Sequence, residues 1–342
     1  MKIIGCDFHP SFQQIAMVDT ETGEHLEKRL TPGEAVPFYQ QLGGPVIVGL
    51  EASGNTLWFE RLLAGLGHRV RMGDASKIRA MEVRKQKTDR RDAELLLTLL
   101  LEDRFPEVWV PSVEMRDVRQ LLVHRQKLVG MRRQVKNQLQ HVALNQGVQR
   151  KGKLWTRSGR QLLEELPLSG WTERRRNDML QWLDSLDQEI AELDRAVEQE
   201  ASQHTVAQLL QTHPGVGPVT SLAFVLTLGN IERFQHSRQV VSYLGLNPSE
   251  HSSGGRQRFG AISKQGNPML RSLLVEAGQS ASRGDTELKR AYQRLKQKKH
   301  SAVAKVMVAR KLAVRLYWMW RTQKPYTAAR MQSSPSHPVA VS

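Results

Sequence analysis

The chain has 342 residues with 50 Lys plus Arg against 34 Asp plus Glu, a formal net charge of +16 and a pI near 10.2. That length allows two or three domains with real cores, and the basic excess points to a polyanionic partner. A single cysteine, Cys6, excludes an intrachain disulfide and suits a reducing cytoplasm, while the lack of a leader and of an apolar stretch near ~18 residues excludes a membrane partner.

The first apolar run, Met1-Lys2-Ile3-Ile4-Gly5-Cys6, ends at Asp7, and a continuous run of this kind reads as a buried strand with its last residue at a sheet edge. Cys6 reads as a small core residue. Hairpin strands near Gln13 to Val18 and His25 to Leu30 follow, then a helix. A second run, Pro45-Val46-Ile47-Val48-Gly49-Leu50, ends at Glu51, and after another helix comes a short strand, His68 to Met72. This order predicts a mixed α/β domain over 1–110.

That domain closes on a helix opened by Lys87-Thr88-Asp89-Arg90-Arg91-Asp92-Ala93 and continued by helix formers to Leu101. A spacing of three puts Asp89 and Asp92 on one helix face. A helix start also favours Asp for its dipole and cap, so the pair alone has two readings. With Asp7 and Glu51 the set has the hard oxygen donors that suit magnesium or manganese. Two such ions about 4 Å apart stabilise both the attacking and the leaving oxygen of an in-line displacement at phosphorus.

Charge divides the chain. Residues 1–110 carry 14 basic and 16 acidic side chains, which leaves 36 and 18 for the remainder, a net −2 against +18. Between 111 and 208 the texture is that of long helices. Leu121, Leu128, Val135 and Val142 recur every seven residues, and Met179, Leu183, Leu186, Ile190, Leu193 and Val197 alternate spacings of four and three, an a/d seam. The basic stretch from Gln149 to Arg160 connects the two as a helical hairpin, and the seam can pack within one subunit or build a dimeric coiled coil. Arg125, Arg132 and Arg133 on the first helix, with few acids to offset them, are candidate phosphate contacts.

The segment 209–324 opens with His213-Pro214-Gly215-Val216-Gly217-Pro218 before a helical run. A Gly-x-Gly turn at a helix start exposes N–H groups to a phosphate, which makes Gly215 and Gly217 candidates and the turn similar to a helix-hairpin-helix motif. Downstream, Gly245-Leu246-Asn247-Pro248 precedes the pair Ser252-Ser253 and two glycines, ringed by Arg256, Arg258, Lys264 and Arg271. Such a loop admits close phosphate approach, and a serine hydroxyl there can attack a phosphodiester if a base or metal activates it. Ser301 to Trp320 predicts a C-terminal amphipathic helix, and the Ser-, Pro- and Ala-rich stretch 325–342 predicts a disordered tail.

Residues 1 to about 105 resemble a ribonuclease H-like, RuvC-type nuclease core. The ordered set of Asp7, Glu51, the Lys-Thr-Asp-x-x-Asp-Ala signature at Asp89 and Asp92, the helical hairpin, Pro-Gly-Val-Gly and Gly-Leu-Asn-Pro resembles the DEDD-type insertion-sequence transposases, the bridge-RNA-guided serine recombinases. The resemblance implies that the four acids bind two magnesium ions, manganese being an alternative, in a RuvC-like domain. It also implies that a C-terminal transposase domain supplies a serine that becomes joined to DNA. Counting from Gly-Leu-Asn-Pro places that serine at Ser253, with Ser252 adjacent. The resemblance further implies target and donor DNA, a structured guide RNA, and a homo-oligomer that is tetrameric on DNA and shares its sites between subunits. Two other readings remain open: a RuvC-like junction-resolving endonuclease with no serine intermediate, and a non-catalytic nucleic-acid-binding protein.

Overall fold

The computed structural model describes residues 1–82, 88–149, 152–250, 252 and 258–327. The chain divides into two compact units, Met1–Pro111 and Ser112 onward.

The first unit is built on strands β1 (Lys2–His9), β2 (Phe12–Asp19) and β3 (His25–Leu30), helix α1 (Pro32–Gln40), strand β4 (Ile47–Glu51), helix α2 (Leu57–Gly65), strand β5 (Arg69–Gly73) and helices α3 (Ala75–Met81) and α4 (Asp89–Leu101). The sheet order is β3-β2-β1-β4-β5, an antiparallel meander on one side of β1 and two parallel strands on the other. Alternation along β1 and β4 feeds two cores. Ile4, Cys6, Val48 and Leu50 pack with Tyr39 and Phe59 under α1 and α2. Ile3 and Ile47 pack with Ile78, Leu96 and Leu100 under α3 and α4. Cys6 lies in the first core, where burial pushes its thiol well above the ordinary range.

Two glycines decide how close α4 comes to the sheet. A Cβ on Gly5 would stand 2.3 Å from the Ala93 carbonyl oxygen and 2.4 Å from the Leu97 nitrogen, and one on Gly49 would stand 2.6 Å from Leu100 Cδ1. Only residues without a side chain let the helix rest directly on β1 and β4. The helix starts at Thr88, whose hydroxyl accepts from the Arg91 N–H at 3.4 Å.

The second unit is helical apart from one small hairpin. Its elements are α5 (Val113–Asn145), α6 (Arg157–Glu164), α7 (Gly170–Gln203), α8 (Thr205–Gln211), α9 (Pro218–Leu228), α10 (Ser237–Tyr243), β6 (Pro248–Glu250), β7 (Phe259–Ile262), α11 (Pro268–Gly284), α12 (Thr286–Lys298) and α13 (Ser301–Thr322). Arg125 pairs with Asp194 and Arg132 with Asp187. As the partner on α5 advances seven residues the one on α7 recedes seven, so the two helices run antiparallel. Leu128, Val135 and Val142 are buried with Met179, Leu183, Leu186 and Ile190 in one core, so the seam is filled within the chain. Leu121 and Val197 belong instead to a second core with α9, α11 and α13. The long helices therefore share a core with the segment expected to form a separate domain from 209. Across the chain, no helix among the described residues is long and apolar enough to span a membrane.

The stretch expected to open a disordered tail begins in contact with the unit. The Tyr326 N–H donates to Thr212 Oγ1 at 2.9 Å, its hydroxyl donates to Asp285, and its ring lies 4.5 Å from that of His213. Residues 328–342 lie outside the described residues.

Candidate active site

The acids of the first unit come together by strand register and helix docking. β1 and β4 pair in parallel with a constant offset of 44 residues, from Ile3 opposite Ile47 to Cys6 opposite Leu50, and one further step sets Asp7 opposite Glu51. Neighbouring strands lie about 4.8 Å apart, and alternate residues share a face. Gly5, Asp7 and His9 thus face α4, as do Gly49 and Glu51. The docked helix brings its first turn, which holds Asp89 and Asp92, to the same end of the sheet. Asp7, Glu51 and Asp92 line one cleft with Arg79, Glu82 and Ile78. Its room of about 20 Å³ admits a water molecule or a bare ion.

Asp89 reaches this centre through a residue that sequence reasoning missed. The strand β1 runs two residues past Asp7, and His9 Nε2 lies 3.2 Å from Asp7 Oδ2 and 3.8 Å from Asp89 Oδ1. One ligand atom from each of Asp7, His9 and Asp89 falls within a mutual 4.8 Å. The imidazole is stacked on Phe12, ring centroids 4.6 Å apart, and the Arg29 guanidinium lies 3.7 Å from the centre of the Phe12 ring. Period-two alternation from Asp7 was the available signal for His9. Arg79 and Glu82 carried no signal of their own, because tertiary packing places them.

Burial pushes the Asp7 carboxyl above the usual carboxylate range; the charges of Asp92 and Asp89 add to this, and His9 draws it partly back. A half-buried carboxylate gathered with like charges is the environment that a divalent cation relieves. The donor set of three aspartates, a glutamate and an imidazole fits magnesium or manganese.

In the second unit the structure accounts for each predicted contact residue differently. Arg125 and Arg132 are ion-paired with Asp194 and Asp187, and Arg133 is exposed. Gly215, at φ +81°, presses on α11, where a Cβ would meet the Ala281 nitrogen at 2.3 Å; Gly217 is the N-cap of α9, with open space around a Cβ. Arg271 donates to the carbonyl oxygens of Leu244, Gln265 and Gly266. It clamps two interlocked turns in which a Cβ on Gly245 would stand 2.0 Å from the Gln265 oxygen and one on Gly266 2.0 Å from the Tyr243 oxygen. Lys264 is exposed there in the left-handed region, at φ 56°.

This clamp fixes the base of the serine loop. Ser263 donates to Asn247 through its hydroxyl at 2.9 Å and its N–H at 2.8 Å, and β6 pairs with β7. The Ser252 hydroxyl donates to Glu250 Oε1 at 2.6 Å and accepts from the Arg258 N–H at 3.2 Å. Ser253 and Arg256 lie outside the described residues.

Carboxylates converging on one side of a mixed sheet, in a chain whose other unit is strongly basic, fit a protein that processes nucleic acid, and sequence comparison sharpens that class. The model of the DEDD-type IS110 transposases matches residues 4–146, and that of the transposase IS116/IS110/IS902 family matches residues 207–293. A probable family 20 transposase of Pseudomonas aeruginosa is 29% identical over 92% of this chain and 95% of its own length. The transposase for insertion sequence element IS1111A of Coxiella burnetii is 28% identical over 83% of this chain and 78% of its own. A pilin gene-inverting protein of Moraxella lacunata is 24% identical over 71% and 68%. The chain belongs to the IS116/IS110 family of DEDD insertion-sequence transposases. Membership implies an enzyme that cuts and rejoins DNA, and it points to the use of a divalent metal.

Proposed function

We propose that this transposase is a magnesium-dependent, RNA-guided DNA recombinase that moves its own element through a serine-DNA intermediate. The observation that carries the reading is the convergence of Asp7, Glu51 and Asp92 on one cleft, with Asp89 joined to Asp7 through His9. In this reading the four acids hold two magnesium ions in a RuvC-like domain. Bound there, the ions stabilise the charge on the attacking and leaving oxygens. His9 orients the Asp7 carboxylate. The Ser253 hydroxyl attacks phosphorus, so that an Oγ–P bond forms, the P–O bond to the departing DNA strand breaks, and the serine proton leaves to a base. The covalent link conserves the bond for rejoining, where attack by water would only cut.

The clamped turns around Arg271 and the Asn247–Ser263 pair hold the serine loop at its base. Arg133, Arg258, Lys264 and the N–H groups at Gly217 are the phosphate contacts of this reading, and the basic helical region takes the guide RNA as a duplex read by shape. Dimers assemble to a tetramer on target and donor DNA in the bacterial cytoplasm.

The test is to incubate the protein with cognate DNA, guide RNA and magnesium, denature it, and look for a protein-DNA adduct. The adduct is expected in the wild type and in Ser252→Ala and absent in Ser253→Ala. An undiminished adduct in Ser253→Ala excludes that residue, and free DNA ends with no adduct favour a junction-resolving endonuclease.

A further inference from the structure

The basic charge of the second unit is not evenly committed. Between residues 283 and 311 ten side chains are basic and two acidic, and both acids, Asp285 and Glu287, are ion-paired to Arg315. The uncommitted cations gather along α12. On that helix Lys289, Tyr292, Gln293 and Lys296 follow the spacing i, i+3, i+4 and i+7 and so share one face. Leu288 and Ala291 are buried on the opposite side, Leu288 packing with Ala281 and Val308.

That polar face forms one wall of a groove of about 410 Å³, whose other lining residues include Gln279, Ser282 and Arg283 from α11 and Lys305 from α13. Among the described residues no carboxylate lines it. Arg283, Lys289 and Lys296 are exposed and Lys305 is half-buried, and none of the four forms an ion pair among the described residues. The groove on the other side of α12, of about 440 Å³, is lined by Arg294, Arg310, Lys311 and Arg315 but differs in holding a carboxylate, Glu287, which pairs with Arg315, and a more apolar wall of Leu295, Met307 and Val314. Like charges held together without counter-charges oppose folding, and a polyanion relieves that repulsion.

We propose that the groove between α11, α12 and the start of α13 is a binding site for the phosphate backbone of a DNA duplex. The choice of DNA rests on the reading of the protein as a DNA recombinase; the phosphate chemistry comes from the groove itself. Lys and Arg with Ser, Gln and Tyr hydrogen-bond donors are the side chains that position a protein on nucleic-acid phosphates. Lys289 and Lys296 sit about 10 Å apart along the helix axis, a span over which one strand of B-DNA presents about three phosphates. With no charged acceptor among the described residues of the lining, the site favours backbone over base edges, so it positions DNA without choosing its sequence.

The experiment measures fluorescence anisotropy of a labelled DNA duplex, and of an RNA duplex of equal length, against the full-length protein between about 50 and 200 mM salt. Three proteins are compared: the wild type, Lys289→Gln with Lys296→Gln, and Arg290→Gln with Lys298→Gln, which removes equal charge from exposed positions of α12 outside the groove lining. Far-UV circular dichroism checks that the helices remain. For the groove pair, the slope of log affinity against log salt should fall by about 2 on DNA, since each lost phosphate contact is worth about 0.9, with a smaller change for the control pair. An unchanged slope in the groove pair, an equal change in the control pair, or a change confined to RNA overturns the proposal and leaves the recombinase reading standing. Failure of the wild type to bind either duplex at low salt overturns both.

Discussion

Two aspartates, one in each unit, show how differently the halves of this protein use charge. Asp285 is buried in the second unit, and burial alone would push its carboxyl up. Its bonds to the Leu288 N–H, the Tyr326 hydroxyl and Arg315, which lies 2.7 Å away, outweigh burial and hold it below the usual range. Asp7, mostly buried in the first unit, is held above that range by burial and by Asp92 and Asp89, with His9 offsetting only part. The first carboxylate is stabilised by its surroundings and contributes to the fold. The second is opposed by them, as expected of a group arranged for a ligand. Acids that serve architecture arrive with their partners, and acids that serve a cation arrive with each other.

Substitution separates the two roles. Asp285→Ala leaves Arg315 buried without its principal counter-charge and should cost about 3–5 kcal/mol, read as a lower thermal midpoint. Asp7→Asn removes a charge the metal-free fold opposes, so its midpoint should hold or rise while strand cleavage falls by about 100-fold or more. Equal loss of stability in the two variants breaks the contrast.

Acid carries the same comparison into pH. Asp285 has a lowered folded-state pKa, so its stabilisation is present above about pH 4, the ordinary aspartate value, and is lost as the pH falls through its folded value. The raised Asp7 contributes in the opposite sense, destabilising as it ionises on the way up. The wild type should therefore lose stability below about pH 4 more steeply than Asp285→Asn, as followed by circular dichroism. Parallel curves would show that Asp285 is not the group responsible.

Glycine offers a smaller contrast between the units. Gly5→Ala forces a methyl onto the backbone of α4 and should cost about 1–3 kcal/mol, the usual range for overpacking, with loss of cleavage as the Asp89 turn moves. Gly130, inside α5, has nothing within 4 Å of an added Cβ, so Gly130→Ala should stabilise by about 0.5–1 kcal/mol. If both alanines are tolerated equally, α4 is not held by close approach to the sheet.

Those features legible from the sequence were the ones written in local pattern. The apolar runs ending at Asp7 and Glu51 fall in β1 and β4, the Thr88-Asp89 start opens α4, and the seam of Leu128, Val135 and Val142 is buried. Each follows from periodicity or from a start signal that operates over a few residues. Pairing was not legible. Sequence counts the sign of Arg125 and Arg132 but not the Asp194 and Asp187 that occupy them. His9 was overlooked because the strand was taken to stop at Asp7 when it runs on to the hairpin. Strands β6 and β7, of three and four residues, are too short to carry a periodic signal, and the loop they bracket read only as flexible. Arg79 and Glu82 enter the cleft because α3 is placed there by packing, which no local rule reports.

Direct binding of manganese, followed by isothermal titration calorimetry on the full-length protein without nucleic acid, tests the central claim, that dispersed carboxylates of the first unit converge to hold divalent cations. The wild type should take up the ion, and Asp7→Asn and Asp92→Asn, each folded by circular dichroism, should lose that binding, while Asp285→Asn should retain it if folded. Uptake unchanged in Asp7→Asn and Asp92→Asn would contradict the account.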